Sequence, residues 1–205
     1  MGRIQPLDLD PQRPVTAARE LVGLLESLER DGTSVMELVC GTRTPAPWKI
    51  YPDDYGVFSK RTWSQFYYHV HEGVQHEAGH FHTVRFFPRH CAHIVAISMA
   101  PSGWPQALFT VNLWAIGDAY ELVENLKRYA RRFQIEEGRG DLRVIRFVNL
   151  VFRLFLPEIE RLQEQKAATL AAFRVAHPHV NAFEERTLEI TSRVEIDVRG
   201  KLLRA

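Results

Sequence analysis

Five of the nine histidines fall within fourteen residues, in the string Tyr68-His69-Val70-His71-Glu72-Gly73-Val74-Gln75-His76-Glu77-Ala78-Gly79-His80-Phe81-His82. Imidazole nitrogens bind zinc, iron, copper and nickel at roughly 2.0–2.2 Å, so the chemistry that suggests itself is metal ligation. It requires the rings to share one surface. A strand provides that: side chains alternate along it, so His69 and His71 point one way together, and so do His80 and His82.

A β-hairpin with residues 72–79 as its loop sets His71 opposite His80 and His69 opposite His82. Opposed Cβ atoms lie about 4.5–5.5 Å apart, so four imidazoles converge. Tyr67 and Gln65 continue that face, with Val84 and Phe86 opposite them. The expectation is one divalent transition metal ion, zinc or iron foremost, held by His69, His71, His80 and His82. Glu72 or Glu77 completes the shell or acts as general base. His76, Tyr67, Gln65 and Asn112 are additional candidates for the site. A one-residue slip in register would put the two pairs on opposite faces and destroy the site.

Other readings stand beside this one. His76-Glu77-Ala78-Gly79-His80 has the H-E-x-x-H spacing of a zinc peptidase helix, with Glu77 as base for a zinc-bound water. Against it, Phe81 to Phe87 is rich in strand formers, Gly73 lies close upstream, and no third ligand follows in a recognisable motif. The histidines could also work without metal, as acid–base or anion-binding groups near neutral pH. Bland structural histidines are the remaining case. His90-Cys91-Ala92-His93 offers a thiolate and further imidazoles, though a small cysteine at a strand entrance is the simpler reading. His177-Pro178-His179 has the same spacing as the central pairs but reads as a loop after a helix. Phosphate-cradling loops, a G-x-S-x-G elbow and a dinucleotide fingerprint are absent from the sequence.

The elements that must position these residues follow from periodicity and punctuation. Thr16 can cap a helix through Arg30, with Leu21, Leu24, Leu25 and Leu28 on one stripe and Asp31-Gly32 ending it. Ser34 to Val39 reads as a short second helix. Residues 42–55, with Pro45, Pro47 and Pro52, read as an ordered loop, and residues 1–14 as an extended surface segment. Four strands are expected across roughly 63–116, as an antiparallel meander. Asp118 and Glu121 have capping-box positions for a helix to Gln134. Asp141 can cap a long helix toward Ala176, kinked by Pro157. Its first half is apolar nearly all round, which suits the core or a homodimer interface. Leu188 to Val198 alternates as a final strand. The fold class is α+β in a single domain, 1–205: an antiparallel sheet packed by N-terminal and long C-terminal helices.

Tyr67-Tyr68-His69-Val70-His71, Gly79-His80-Phe81-His82-Thr83 and Pro101-Ser102-Gly103-Trp104-Pro105 with Leu108 to Asn112 resemble an uncharacterised family of bacterial proteins. The signature is Y-Y-H-x-H…G-H-F-H, and the resemblance runs over roughly 45–155. It implies a soluble bacterial protein and lends no activity and no assigned ligands.

Composition narrows the function further. The chain has 205 residues, 45% hydrophobic and 25% charged, ordinary globular values that exclude disordered and coiled-coil chains. A net charge of +1 provides no basic field for nucleic acid. The run Lys127-Arg128-Tyr129-Ala130-Arg131-Arg132 reads as a solvated helix face. The N-terminus has no apolar run for a signal peptide, and Pro6 breaks the myristoylation pattern. Phe147 to Leu156 is far short of the ~20 residues that span a bilayer. The expected protein is cytoplasmic and acts on a small-molecule substrate or ligand. It is a metal-dependent enzyme: a hydrolase or lyase with zinc, an oxygenase with iron or copper. A metal- or small-ligand-binding module is the alternative.

Overall fold

The computed structural model describes residues 13–72, 76–117, 119–136 and 139–203. Its centre is a six-stranded antiparallel sheet: β1 (Val57–Ser59), β2 (Ser64–His69), β3 (Gly79–Phe86), β4 (Cys91–Met99), β5 (Pro105–Val111) and β6 (Ile190–Glu195). The strands lie side by side in sequence order, so the meander is complete and β6 closes it against β5. The helices are α1 (Arg13–Arg30), α2 (Val35–Cys40), α3 (Val123–Arg131), α4 (Leu142–Ala176) and α5 (Val198–Leu203). The α+β architecture is the one the patterns predict.

Alternation divides the sheet. Phe66, Tyr68, Phe81, Val95, Ile97, Met99 and Leu108 point to one face and join the core formed with α1 and α4. The other face carries the histidines and a small cluster of Ala96, Phe109 and Val111, against which Ala115 and Ile116 pack. The apolar first half of α4 lies in the core: Phe147, Val148, Leu150, Val151, Phe152, Leu154 and Phe155 are all buried. Asp141 caps it by accepting from the Arg143 N–H at 2.8 Å. Phe155, two residues before Pro157, is non-helical (φ −109°, ψ 20°), so the kink falls where the ring clashes with the preceding turn.

Several boundaries differ from expectation. The helix expected to be capped by Thr16 begins earlier, at Arg13, while residues 1–12 of the N-terminal segment lie outside the described residues. The loop 42–55 leads into a short strand, β1, too brief to show alternation. The fourth expected strand, drawn to Ala115, ends at Val111, because the Asn112 side chain accepts from the Leu113 N–H and starts a 3-10 turn. α3 starts at Val123 with no side-chain cap; Asp118 lies outside the described residues. The last strand stops at Glu195, and Val198 opens α5 instead. The basic run on α3 is partly neutralised by α4: Lys127 pairs with Glu164 at 2.5 Å and Arg131 with Glu160 at 2.6 Å. Among the described residues, no helix is long and apolar enough to cross a membrane.

Candidate metal centre

The β2–β3 register places His69 opposite His80 and Tyr67 opposite His82. This corrects the expected pairing by two residues, with Gln65 opposite Val84. A two-residue shift preserves parity, so the histidines still share a face. Local contacts set the pairing. The Tyr51 backbone bridges Tyr68 from the other side of β2, and the Trp48 N–H donates to the Val70 carbonyl. The Tyr68 hydroxyl donates to the Ala78 carbonyl at 2.6 Å, which ties the end of β2 to the residue before β3. Gly79 opens β3 at φ 137°, where a Cβ would lie 2.6 Å from the His69 carbonyl oxygen and against the Tyr68 hydroxyl.

Three Nε2 atoms meet on this face. His69 Nε2 is 2.6 Å from His80 Nε2, which is 3.0 Å from His82 Nε2. Ligand atoms of His69, His80 and His82 all lie within 4.8 Å of one another. His80 and His82 are buried and His69 is half-buried. Ligands around a tetrahedral zinc sit roughly 3.3 Å apart, so small ring rotations would admit an ion. Burial, then the neighbouring rings of His80 and His71, lowers the His69 pKa to about 3. Burial first, and then the surrounding histidines, also holds His82 well below the ordinary imidazole value. Both rings are therefore neutral at pH 7 and offer lone pairs, the form a metal requires.

His71 stands just past β2, its ring centre 4.8 Å from that of His69 and 5.1 Å from that of His80. It flanks the triad, and three of the four expected histidines have ligand atoms in the close group. Glu77 has its Oε1 3.3 Å from Nδ1 of His80, the nitrogen on the far side of the ring from the triad. Burial pushes the Glu77 carboxyl up, but His80, Ser98 and the Arg193 charge together outweigh it and leave it below the ordinary value. Glu72 and His76 lie exposed in the β2–β3 connection. His80 lies within β3 rather than at the end of a helical turn, which overturns the zinc-peptidase reading of His76 to His80.

Tyr67 flanks the site, its ring centre 5.2 Å from that of His82. Gln65 is turned to other work: its amide donates to the Tyr55 carbonyl. Asn112 is not part of the site either. Its amide donates to the Ala182 carbonyl at 2.7 Å and anchors the chain that leads into β6. Phe109 closes one side of the triad, 5.1 Å from the His80 ring.

His93 is the residue that spacing alone does not place. Between Thr83 and Val84 the β3–β4 register shifts: Thr83 pairs with Val95, but Val84 pairs with His93. Ile94 is the extra residue of a β-bulge, which turns His93 onto the histidine face. The bulge is braced from both sides. The Thr83 hydroxyl donates to the Val95 carbonyl at 2.6 Å, and the Gln163 amide of α4 donates to the Ile94 carbonyl at 2.6 Å. His93 Nε2 then lies 3.0 Å from His82 Nδ1, and His93 is fully buried. Its neighbour Cys91 stands half-buried opposite Phe86, and His90 faces Glu121 at 3.4 Å. His177 ends α4, far along the chain from the triad.

The fold and the site define a class: an α+β protein with a tris-histidine cluster on one face of a meander sheet. The chain belongs to the family described as Domain of unknown function (DUF6969), which matches it over residues 15–196. No curated protein and no solved structure matches it.

Proposed function

We propose that this protein binds one divalent transition metal ion through Nε2 of His69, His80 and His82 and works as a metal-dependent enzyme on a small molecule. The observation that carries the reading is the convergence of three Nε2 atoms at 2.6 and 3.0 Å. Two neutral rings can share one proton, but a third nitrogen aimed at the same point is left with lone pair facing lone pair. A cation relieves that repulsion. Zinc or iron suits an all-imidazole set, and three protein ligands leave a coordination position for water or substrate. Zinc there would supply an activated water for hydrolysis or elimination, whereas iron or copper would supply oxygen chemistry. Half-buried His69, His71 and Tyr67 form the side from which a small substrate would approach.

One observation favours a binding module instead. One cavity of about 420 Å³ lies between α1, α2 and the Pro101–Trp104 turn, and another of about 120 Å³ lies between α3 and α4. Neither is lined by the triad. With His71 swung in as a fourth ligand, the centre would be closed and non-catalytic.

The test is elemental analysis of tag-free protein by plasma mass spectrometry beside His69→Ala and His82→Ala. The expected result is about one transition ion per chain in the native protein and loss in both variants. Retention of stoichiometric metal in both variants would overturn the reading. So would failure of the native protein to take up zinc, iron, copper or nickel. The element found separates hydrolytic from oxygen chemistry. Binding of azide or cyanide to the loaded centre separates an open site from a closed one.

A further inference from the structure

We infer that Glu77 and His93 are positioning residues, which hold His80 and His82 with the proton on Nδ1 and so turn both bare Nε2 atoms into the triad. The inference rests on the reading of the triad as a metal centre and extends it to the residues behind the ligands.

Glu77 Oε1 lies 3.3 Å from His80 Nδ1 without the alignment of a hydrogen bond, and a carboxylate so close favours a proton over a lone pair on that nitrogen. His80 Nε2 is then bare and has a single in-plane lone pair. His69 Nε2, at 2.6 Å, is the nearer donor to it, ahead of His82 Nε2 at 3.0 Å. A proton on His82 Nε2 would find that lone pair already taken. His82 therefore keeps its proton on Nδ1 and donates it to His93 Nε2, 3.0 Å away.

His93 is then protonated at its own Nδ1, which is buried and has no hydrogen-bond partner. A buried orphan donor costs stability, and its persistence marks a ring kept for what its other nitrogen does. The Ile94 bulge exists at the one point where it brings that nitrogen to His82. A ligand histidine whose second nitrogen donates to a carboxylate or other acceptor is fixed in tautomer and orientation. Losing such a partner typically costs about 10–100-fold in metal affinity.

Two measurements on the full chain test this. Long-range proton–nitrogen correlation spectra of metal-free, histidine-labelled protein report which nitrogen of His82 is protonated. The expected tautomer is Nδ1–H, and a proton on Nε2 overturns the inference whether or not metal binds. Zinc affinity, by competition with a chromophoric chelator, is the second measurement. His93→Leu and Glu77→Ala should each weaken zinc about 10–100-fold. His93→Gln and Glu77→Gln, which keep an acceptor in place, should recover most of the loss. Native affinity in His93→Leu, or equal loss in Leu and Gln variants, would overturn it. Glu77 sits in the β2–β3 connection, so its variants decide the question if His93→Leu does not fold. A native protein that takes up no zinc would sink the metal reading alone, with the tautomer of His82 still deciding this one.

Discussion

His82 and His93 stand 3.0 Å apart, nitrogen to nitrogen, because Ile94 is an extra residue in β4. In an unbroken ladder Val84 would face Ile94, and His93 would point into the helix-packed core. The bulge thus joins a fourth imidazole to the triad from behind, and the Gln163 side chain of α4 holds it there.

Gln163→Leu should therefore both destabilise the protein and loosen the site. It leaves the Ile94 carbonyl without its donor in a buried setting, a loss of about 1–3 kcal/mol. Urea unfolding would show a lower midpoint at unchanged slope. An unchanged midpoint would mean that the bulge holds without Gln163.

Gly79→Ala should be severe for so small a change. The backbone at φ 137° disfavours any side chain, and a Cβ would press on the His69 carbonyl and the Tyr68 hydroxyl. Removing the hydroxyl with Tyr68→Phe should give little rescue, since the carbonyl contact remains. We expect a loss of roughly 2–4 kcal/mol from strain and clash combined. Thermal or urea unfolding of the single and double variants checks it, and a near-native Gly79→Ala would show that the β2–β3 pairing is set elsewhere.

His71→Ala should keep stoichiometric zinc, with an affinity within about tenfold of native, if His69, His80 and His82 form the shell proposed above and His71 only flanks it. His80→Ala should abolish binding. Equal losses in the two variants would establish a four-histidine shell.

Acid should destabilise the metal-free protein. His69 has a folded pKa of about 3 against an ordinary 6.5, and His82 and His93 are likewise depressed. Groups depressed on folding leave the unfolded chain binding more protons between those values. Stability is then full above about pH 6.5 and falls as pH drops toward 3. His69 alone should contribute on the order of 1–4 kcal/mol across that window. Chelator-treated protein, unfolded with urea at pH 7 and pH 4.5, gives the slope. His69→Gln should flatten it, and an equal slope in this variant would place the titration on other groups.

Much of the architecture was legible because its signals are local. Asp141 and Pro157 mark where the long helix starts and kinks, and the apolar run 144–155 marks the core. The central strands announce themselves by Thr, Val, Phe and Tyr content. The edges were less legible. β1 has three residues, too few to show a period, and Asn112 ended its strand through a side-chain bond that composition does not reveal.

The same division runs through the site. The sequence by itself determined that His69 shares a face with His71, and His80 with His82, because side chains alternate along a strand; the even register that puts both pairs on one face belongs to the fold. The sequence also weighed against a peptidase helix at His80, since Phe81 to Phe87 prefers extended backbone, and β3 decided it. Only the tertiary structure decided that His69 faces His80, that three rings rather than four converge, that Glu77 stands behind a ligand, and that His93 joins them. Those outcomes depend on hydrogen bonds between residues far apart in the chain, such as Tyr51 with Tyr68 and Gln163 with Ile94. A spacing pattern carries no record of such bonds, and a single extra residue at Ile94 is enough to reverse which face a side chain takes.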